Sequence, residues 1–287
     1  MGACHRGPGG DGGRPAGRAG GDEDGAQPDG GARRGGGRGA GRRRRSGGSG
    51  CAADRAGGGR GMTDAAQDGA IRLHHVRWSR SFRVLWLLQE MGITPELEIY
   101  EIGGPKMREA DFLTRSPAGR SPALEIDGQV IFESAAILQY LCETRPEHGF
   151  GRGTGDPERW RFLEMMGFAE TQASLIEQLN LNHVFLRPPA KPSPVVVKLN
   201  TARLRATVAA FEAMLEGEYI LPSGFSAADV MMGFNLYAVP YFVPMDPWPK
   251  LQAYWDRLQA RPAFRAAVAL EGPRDFYAQD FYPVPDA

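Results

Sequence analysis

The sequence predicts an α+β domain over residues 70–145, a linker over 146–156 and an all-α domain over 157–287. Three observations carry that reading. From Arg72 to Cys142 the apolar spacing switches between strand and helix periods, in the order strand, helix, strand, helix, hairpin, helix. Residues 146–156 hold Pro146 and a run of glycines, a linker composition. Beyond them the apolar spacing is helical, and a serine–acid pair at Ser226 and Asp229 marks a helix start.

Upstream of these domains the composition is different. The first 61 residues contain no Leu, Ile, Val, Phe, Trp or Tyr and hold 24 of the 39 glycines. Such a segment has too little apolar surface to offset its ordering entropy, so residues 1–68 are expected to be a disordered Gly/Arg-rich extension. Arg42 to Arg45 suit an RGG-like tail on nucleic acid; the preferred reading is that Met62 is the working start and the upstream stretch is not translated. Asp22, Glu23 and Asp24 interrupt the positive charge and there is no apolar h-region, which argues against a targeting peptide. The stretch carries 12 of the 34 basic and 6 of the 34 acidic residues, leaving a net charge of −6 for the remainder. A mildly acidic globular part gives no basis for binding nucleic acid.

Taken in order, residues 71–76 make a first strand. His74 and His75 lie in it on opposite faces, so they cannot clamp one metal, and no other cluster has ligand spacing. Phe82, Val84, Leu85, Leu87 and Leu88 recur with helical spacing up to Gly92. Leu97 to Ile102 reads as a second strand, and Lys106 to Leu113 as a short polar helix or loop. Asp127-Gly128 is a two-residue hairpin turn between Leu124–Ile126 and Val130–Phe132. Ser134 then opens a helix that carries Ile137, Leu138 and Leu141. This order is the thioredoxin-like one.

In the second domain Asp156-Pro157 should start a long helix running to about Phe185, with Asp at the N-cap and Pro at the first helical position. Pro188, Pro189, Pro192 and Pro194 break the chain before a helix from Val195 to Leu215. Ser226 and Asp229 form a capping box, structural rather than catalytic. The uncharged run Val230 to Pro244 is too short and too Pro-interrupted to span a membrane, and reads as a buried central helix. Pro247 to Ala260 and Arg261 to Glu271 belong to the same helical part. Of the cysteines Cys4, Cys51 and Cys142, only the last falls in the folded part. It reads as a core thiol, and the absence of an internal pair fits a reducing, cytoplasmic setting.

Two spots carry chemistry. Ser79 and Ser81 sit at the mouth of the first helix, where a hydroxyl can cap the helix or reach an anion. Glu133-Ser134 opens a later helix, where a hydroxyl and backbone N–H can hold a carboxylate while the acid pairs an ammonium. A carboxylate beside an ammonium is an amino-acid head group, and the other hydroxyl suits a thiolate.

The runs SRSFRVLWLLQEMG, SPAGRSPALEIDG and FESAAILQYL, with FSAADVMM downstream, resemble the glutathione S-transferases, closest to serine-type bacterial and fungal enzymes. The resemblance covers about Ala70 to Gly272. It implies glutathione as co-substrate with no metal, and a glutathione-binding α+β domain. It also implies a homodimer, and no nucleic acid or membrane as partner. Ser79 would hold the thiolate, with Ser81 the second candidate and the better helix cap. The Ser121–Pro122 bond would be cis, with the Ser121 backbone pairing to the cysteinyl part. Arg120 would face the glycyl carboxylate, and Glu133 and Ser134 would form the γ-glutamyl site. Arg83 fits a buried ion pair rather than a ligand.

A hydrophobic acceptor pocket is expected between the domains, lined by Met165, Phe168, Thr171 and Gln172 of the long helix. Phe276, Tyr277, Phe281 and Tyr282 are candidates to cover it. The reading is therefore conjugation of glutathione to a hydrophobic electrophile, with hydroperoxide reduction a related reaction. A transferase-fold binding module without turnover is the alternative. The helix-mouth hydroxyl and the acid–serine pair favour catalysis, and the lack of a cysteine at the helix mouth disfavours glutaredoxin-like chemistry.

Overall fold

The computed structural model describes residues 71–274 and 276–285. The expected extension over 1–68 lies outside the described residues. Four strands, β1 (Arg72–Val76), β2 (Glu96–Tyr100), β3 (Ala123–Ile126) and β4 (Gln129–Phe132), form one sheet in the order β2-β1-β3-β4. β1 runs parallel to β2, while β1–β3 and β3–β4 are antiparallel. The hairpin turn is as expected: Asp127 (φ 52°) and Gly128 (φ 72°) are both left-handed, as a two-residue turn of this hand requires.

Helices α1 (Ser81–Glu90) and α3 (Ser134–Thr144) pack on one face of the sheet, and α2 (Ala110–Arg115) on the other. α1 is buried from Ser81 through Leu88. It is enclosed because β1, α3 and two helices of the second part all pack against it. Alternation along β1 puts Leu73 in the main core and Val76 with Phe112 and Tyr100 on the α2 face. The adjacent histidines divide the same way. His74 bonds Tyr100 and Glu125 on the α2 side, whereas His75 contacts Ser81 and Glu271 on the other. Strand β2 ends at Tyr100, two residues before the expected end. A turn from Glu101 to Gly104 closes there through left-handed Gly103 and leaves Ile102 exposed.

The second part is helical: α4 (Arg159–Asn180), α5 (Pro194–Met214), α6 (Ala227–Ala238), α7 (Pro249–Ala260) and α8 (Pro262–Glu271). α4 starts later than predicted. Asp156 takes the Glu158 N–H at 2.8 Å and caps a turn ahead of the helix, not the helix itself. A π-helical turn, Leu181–Phe185, extends α4 to the expected end. Pro194, read as a breaker, is the first residue of α5, where a missing N–H costs nothing; Ser193 caps it. α6 carries the capping box, and Asp229 also takes bonds from the Ile220 N–H (3.0 Å) and the Tyr254 hydroxyl (2.9 Å). Between the two parts, residues 146–156 are tied down. Arg152 is buried, pairs with Glu158 and bonds Ser223, and the Phe150 carbonyl takes the Ala227 N–H at 2.9 Å. Cys142 packs beneath this segment, and burial pushes its thiol up to about 12. Among the described residues, no helix is long and apolar enough to cross a membrane.

Candidate functional site

A cavity of about 500 Å³ opens where the sheet meets the helical part. From the first part come Trp78, Ser79 and Arg80 of the β1–α1 turn, with Ile102 and Met107 of the loop after β2. The far wall is α4 and its π turn (Ala173, Ile176, Glu177, Asn180, Leu181, Phe185), and α6 supplies Phe234, Asn235 and Tyr237. Phe276 and Tyr277 of the C-terminal tail close one side. A smaller recess of about 80 Å³ adjoins it, sharing Arg80, Arg120 and Ser121 and reaching Pro122, Glu133 and Ser134. The smaller recess is polar where the larger is largely apolar, so the pair suits a ligand with one polar and one apolar end.

The structure separates the two helix-mouth serines. Ser79 precedes the helix and stands in the cavity wall. Its hydroxyl donates to the Val76 carbonyl at 2.7 Å and takes the Ser81 N–H at 3.2 Å. Ser81 is not the N-cap; that position is Arg80. It is the first helical residue and fully buried, because helical Cα–Cβ bonds tilt back toward the N-terminus and carry its hydroxyl under β1. There it meets His75 Nδ1 at 2.6 Å and the Val76 carbonyl at 3.0 Å.

In the recess the Ser121–Pro122 bond is cis, and the Ser121 hydroxyl donates to the His74 carbonyl at 3.0 Å. Glu133 is exposed with φ 72°, and does not cap α3 with its side chain. Ser134 is buried; its hydroxyl takes Arg83 Nη1 at 3.0 Å and donates to Glu170 at 3.3 Å. Arg83 is fully buried, ion-paired with Glu170 and bonded to Asn235 Oδ1 at 2.8 Å, as the sequence suggested. Burial pushes this guanidinium down to about 10. Burial alone would raise the Glu170 carboxyl, but Arg83 and Arg80 outweigh it and hold it below its ordinary value. Arg120 is half exposed and pairs with Glu177, which also takes Arg80 at 3.0 Å.

The four acceptor candidates of the long helix lie away from the cavity. Met165 and Gln172 are fully buried inside the bundle, Gln172 bonding Thr207 of α5 at 3.3 Å. Phe168 packs on the core, and Thr171 is exposed, bonded to its own helix. None of the four reaches the cavity; the α4 residues that do lie further along the helix. Of the tail aromatics, Phe276 and Tyr277 line the cavity. Tyr282 is buried against Phe242 and His183, and Phe281 is exposed.

Sequence reasoning also missed residues. Trp78 has φ 56° and stacks on Tyr237, centroids 4.9 Å apart. Its backbone N–H donates to Glu271, and its ring Nε1 to the Gly272 and Pro273 carbonyls, each at 3.2 Å. Asn235 and Tyr237, the polar interruptions in an otherwise apolar helix, were the available signal for α6.

A thioredoxin-like sheet joined to a helical domain, with a cavity where the two meet, is the architecture on which the comparisons with known proteins bear. A family model described as the glutathione S-transferase N-terminal domain matches residues 78–144. A glutathione transferase structure from Methylococcus capsulatus is 32% identical with a TM-score of 0.62, covering 70% of this chain and 98% of that one. A sphingomonad glutathione S-transferase complexed with glutathione is 26% identical, TM-score 0.59, covering 71% and 100%. Glutathione S-transferase 3 of Schizosaccharomyces pombe is 28% identical, over 69% of this chain and 86% of the relative. The chain belongs to the glutathione S-transferase family and is a glutathione transferase.

Proposed function

We propose that this enzyme binds glutathione across the two adjoining recesses, holds its thiolate at Ser79 and adds it to a hydrophobic electrophile in the larger cavity. The observation that carries the reading is the position of Ser79, in the wall of the apolar cavity beside the polar recess. Glu133 pairs the γ-glutamyl ammonium, and the Ser134 N–H, at a helix start where first-turn N–H groups lack intrahelical partners, takes its carboxylate. Arg120 faces the glycyl carboxylate. The Ser121 backbone pairs with the cysteinyl part, the sphingomonad relative being a complex with this tripeptide.

Chemically, a free thiol with a pKa near ~8.5 is a few per cent thiolate at pH 7. One hydroxyl donor and the field at the α1 N-terminus favour the anion. A shift of about two units, roughly 2.7 kcal/mol, makes it the majority species. Nucleophilicity falls by less than the population rises. Phe234, Tyr237, Ile176 and Phe276 hold the electrophile against the sulfur, so that proximity supplies the rest. Reduction of a hydroperoxide by the same thiolate is a further reaction of this site. The protein acts in the cytoplasm as a homodimer, and the domains work as a glutathione-binding unit over 70–145 and a helical unit over 157–287.

Calorimetric titration with glutathione and then S-hexylglutathione tests the reading. Saturable binding of both, tighter for the hexyl form, is expected; binding of neither would remove it. Ser79→Ala should lower turnover about 10²-fold, the loss expected for one donor to the anion, and raise the bound thiol's pKa. If Ser81→Ala alone does so, the assignment to Ser79 fails.

A further inference from the structure

Behind Ser79 lies a buried polar cluster that the proposed chemistry has not used. Ser81 Oγ is 3.1 Å from Ser79 Oγ and 2.6 Å from His75 Nδ1. His75 Nε2 is 3.1 Å from Glu271 Oε1. Ser81, His75 and Glu271 are each fully buried, so the chain of contacts runs from a carboxylate at the end of α8 to a hydroxyl in the cavity wall.

We propose that His75, Ser81 and Ser79 form a directed hydrogen-bond relay that aims the Ser79 hydroxyl hydrogen at a thiolate in the cavity, with Glu271 seated behind the imidazole. The inference rests on Ser79 as the thiolate partner and makes His75 a positioning residue.

The relay has one direction in which the Ser79 hydrogen points outward. Nε2 and Glu271 Oε1 are close enough for an ion pair, yet they do not meet at the angle of an N–H···O bond. The relay carries the imidazole hydrogen on Nδ1, where it donates to Ser81 Oγ at 2.6 Å; a hydrogen on Nε2 would face Glu271 Oε1 instead and reverse the relay. Ser81 Oγ then holds both the Nδ1 hydrogen and the Val76 N–H (3.2 Å) and donates its own hydrogen, for which Ser79 Oγ at 3.1 Å and the Val76 carbonyl at 3.0 Å are the two acceptors. In the relay it goes to Ser79, whose hydroxyl turns from its 2.7 Å bond with the Val76 carbonyl to the thiolate. Losing the Ser79 hydroxyl does not orphan the Val76 carbonyl, which keeps the Ser79 backbone N–H at 3.3 Å. Each donor in such a chain is polarised by the one behind it, which strengthens the last bond.

The opposite arrangement has the opposite effect. With Nδ1 bare, Ser81 donates to it and presents a lone pair to Ser79, which draws the Ser79 hydrogen inward. The charged groups on this side are Glu271 from α8, which faces Nε2, and beyond it Arg77, whose guanidinium donates to the Glu271 backbone carbonyl at 2.9 Å. No proton is transferred along the relay; the thiol proton leaves to solvent.

The test uses the full chain saturated with glutathione, reading the thiol pKa from thiolate absorbance against pH, with kcat and glutathione Kd. His75→Leu should raise the thiol pKa by about one unit and lower kcat about tenfold, with Kd within about threefold. His75→Asn, whose amide N–H stands near the Nδ1 position, should recover most of the loss. In a Ser79→Ala background His75→Leu should add nothing, since the two act in one chain. An unshifted thiol pKa in His75→Leu, or its full effect persisting without Ser79, would overturn the relay. An unshifted pKa in Ser79→Ala alone would instead sink the reading of Ser79. If thermal melting shows His75→Leu unfolded, Ser81→Ala breaks the same chain at its middle and is judged by the same outcomes.

Discussion

Glu170→Gln tests what holds the polar recess together. The carboxylate is the ion-pair partner of the fully buried Arg83 and accepts the Ser134 hydroxyl hydrogen. The amide keeps the shape but removes the charge, leaving Arg83 with neutral acceptors on Ser134 and Asn235 and the Phe234 ring 5.2 Å away. Breaking a dry pair from one side costs about 3–5 kcal/mol. The Glu170 side chain is 31% exposed, so water screens part of this, and about 2 kcal/mol of lost stability is expected. Urea unfolding at neutral pH measures it. The pH dependence has a fixed sign. Glu170's folded pKa lies below its ordinary value of 4.5, so its contribution is complete above 4.5 and is lost as pH falls through the folded value. The gap between wild type and E170Q should therefore close in that acidic window. Adding Arg83→Met should recover part of the loss, because the uncompensated charge is gone. A loss under about 0.5 kcal/mol at pH 7, or strict additivity with Arg83→Met, would refute the reasoning.

Other outcomes follow from the same geometry. Ser134→Ala should weaken glutathione binding in calorimetry more than it lowers turnover at saturation; equal binding with slower turnover would contradict its place at the γ-glutamyl end. Gly233→Ala should cost about 1–3 kcal/mol in chemical unfolding, because the new Cβ would lie 2.7 Å from Leu258 Cδ1 and 2.9 Å from the Trp86 ring. Cys142, 6% exposed and with its thiol pushed up to about 12, should resist a bulky thiol reagent at pH 8 until the protein unfolds. Peptide mass mapping of the native protein would show rapid labelling if that is wrong.

Much of the fold was legible because its signals are local. Helix and strand periods, the Asp127-Gly128 turn and the Ser226–Asp229 box each lie within a few residues. Where the reading slipped, a local signal had a second meaning. The apolar run to Ile102 looked like strand, but Gly103 turns the chain and sends Ile102 to the cavity. Asp156 caps a turn instead of a helix. The cavity wall on α4 differs from the expected residues for another reason. Met165, Phe168 and Gln172 recur on α4 at helical spacing, and on a helix packed against both α5 and α6 that stripe marks the bundle interior. Cavity-facing Ala173, Glu177 and Asn180 are small or polar and give no periodic signal.

The helix mouth shows the limit most sharply. Spacing left Ser79 and Ser81 as two candidates for one role, and chain distance alone cannot separate them. They differ because one precedes the helix and the other begins it. Ser81's side chain therefore leans back under β1, where only the fold brings in a partner, Glu271 from the end of α8, to sit behind His75. A carboxylate so far along the sequence leaves no mark near the serines. Yet it bonds the Trp78 N–H as well, so the end of α8 fixes the turn on which Ser79 is carried. The candidate hydroxyls were readable from neighbouring residues, whereas the groups packed behind them come together only when both parts of the chain have folded.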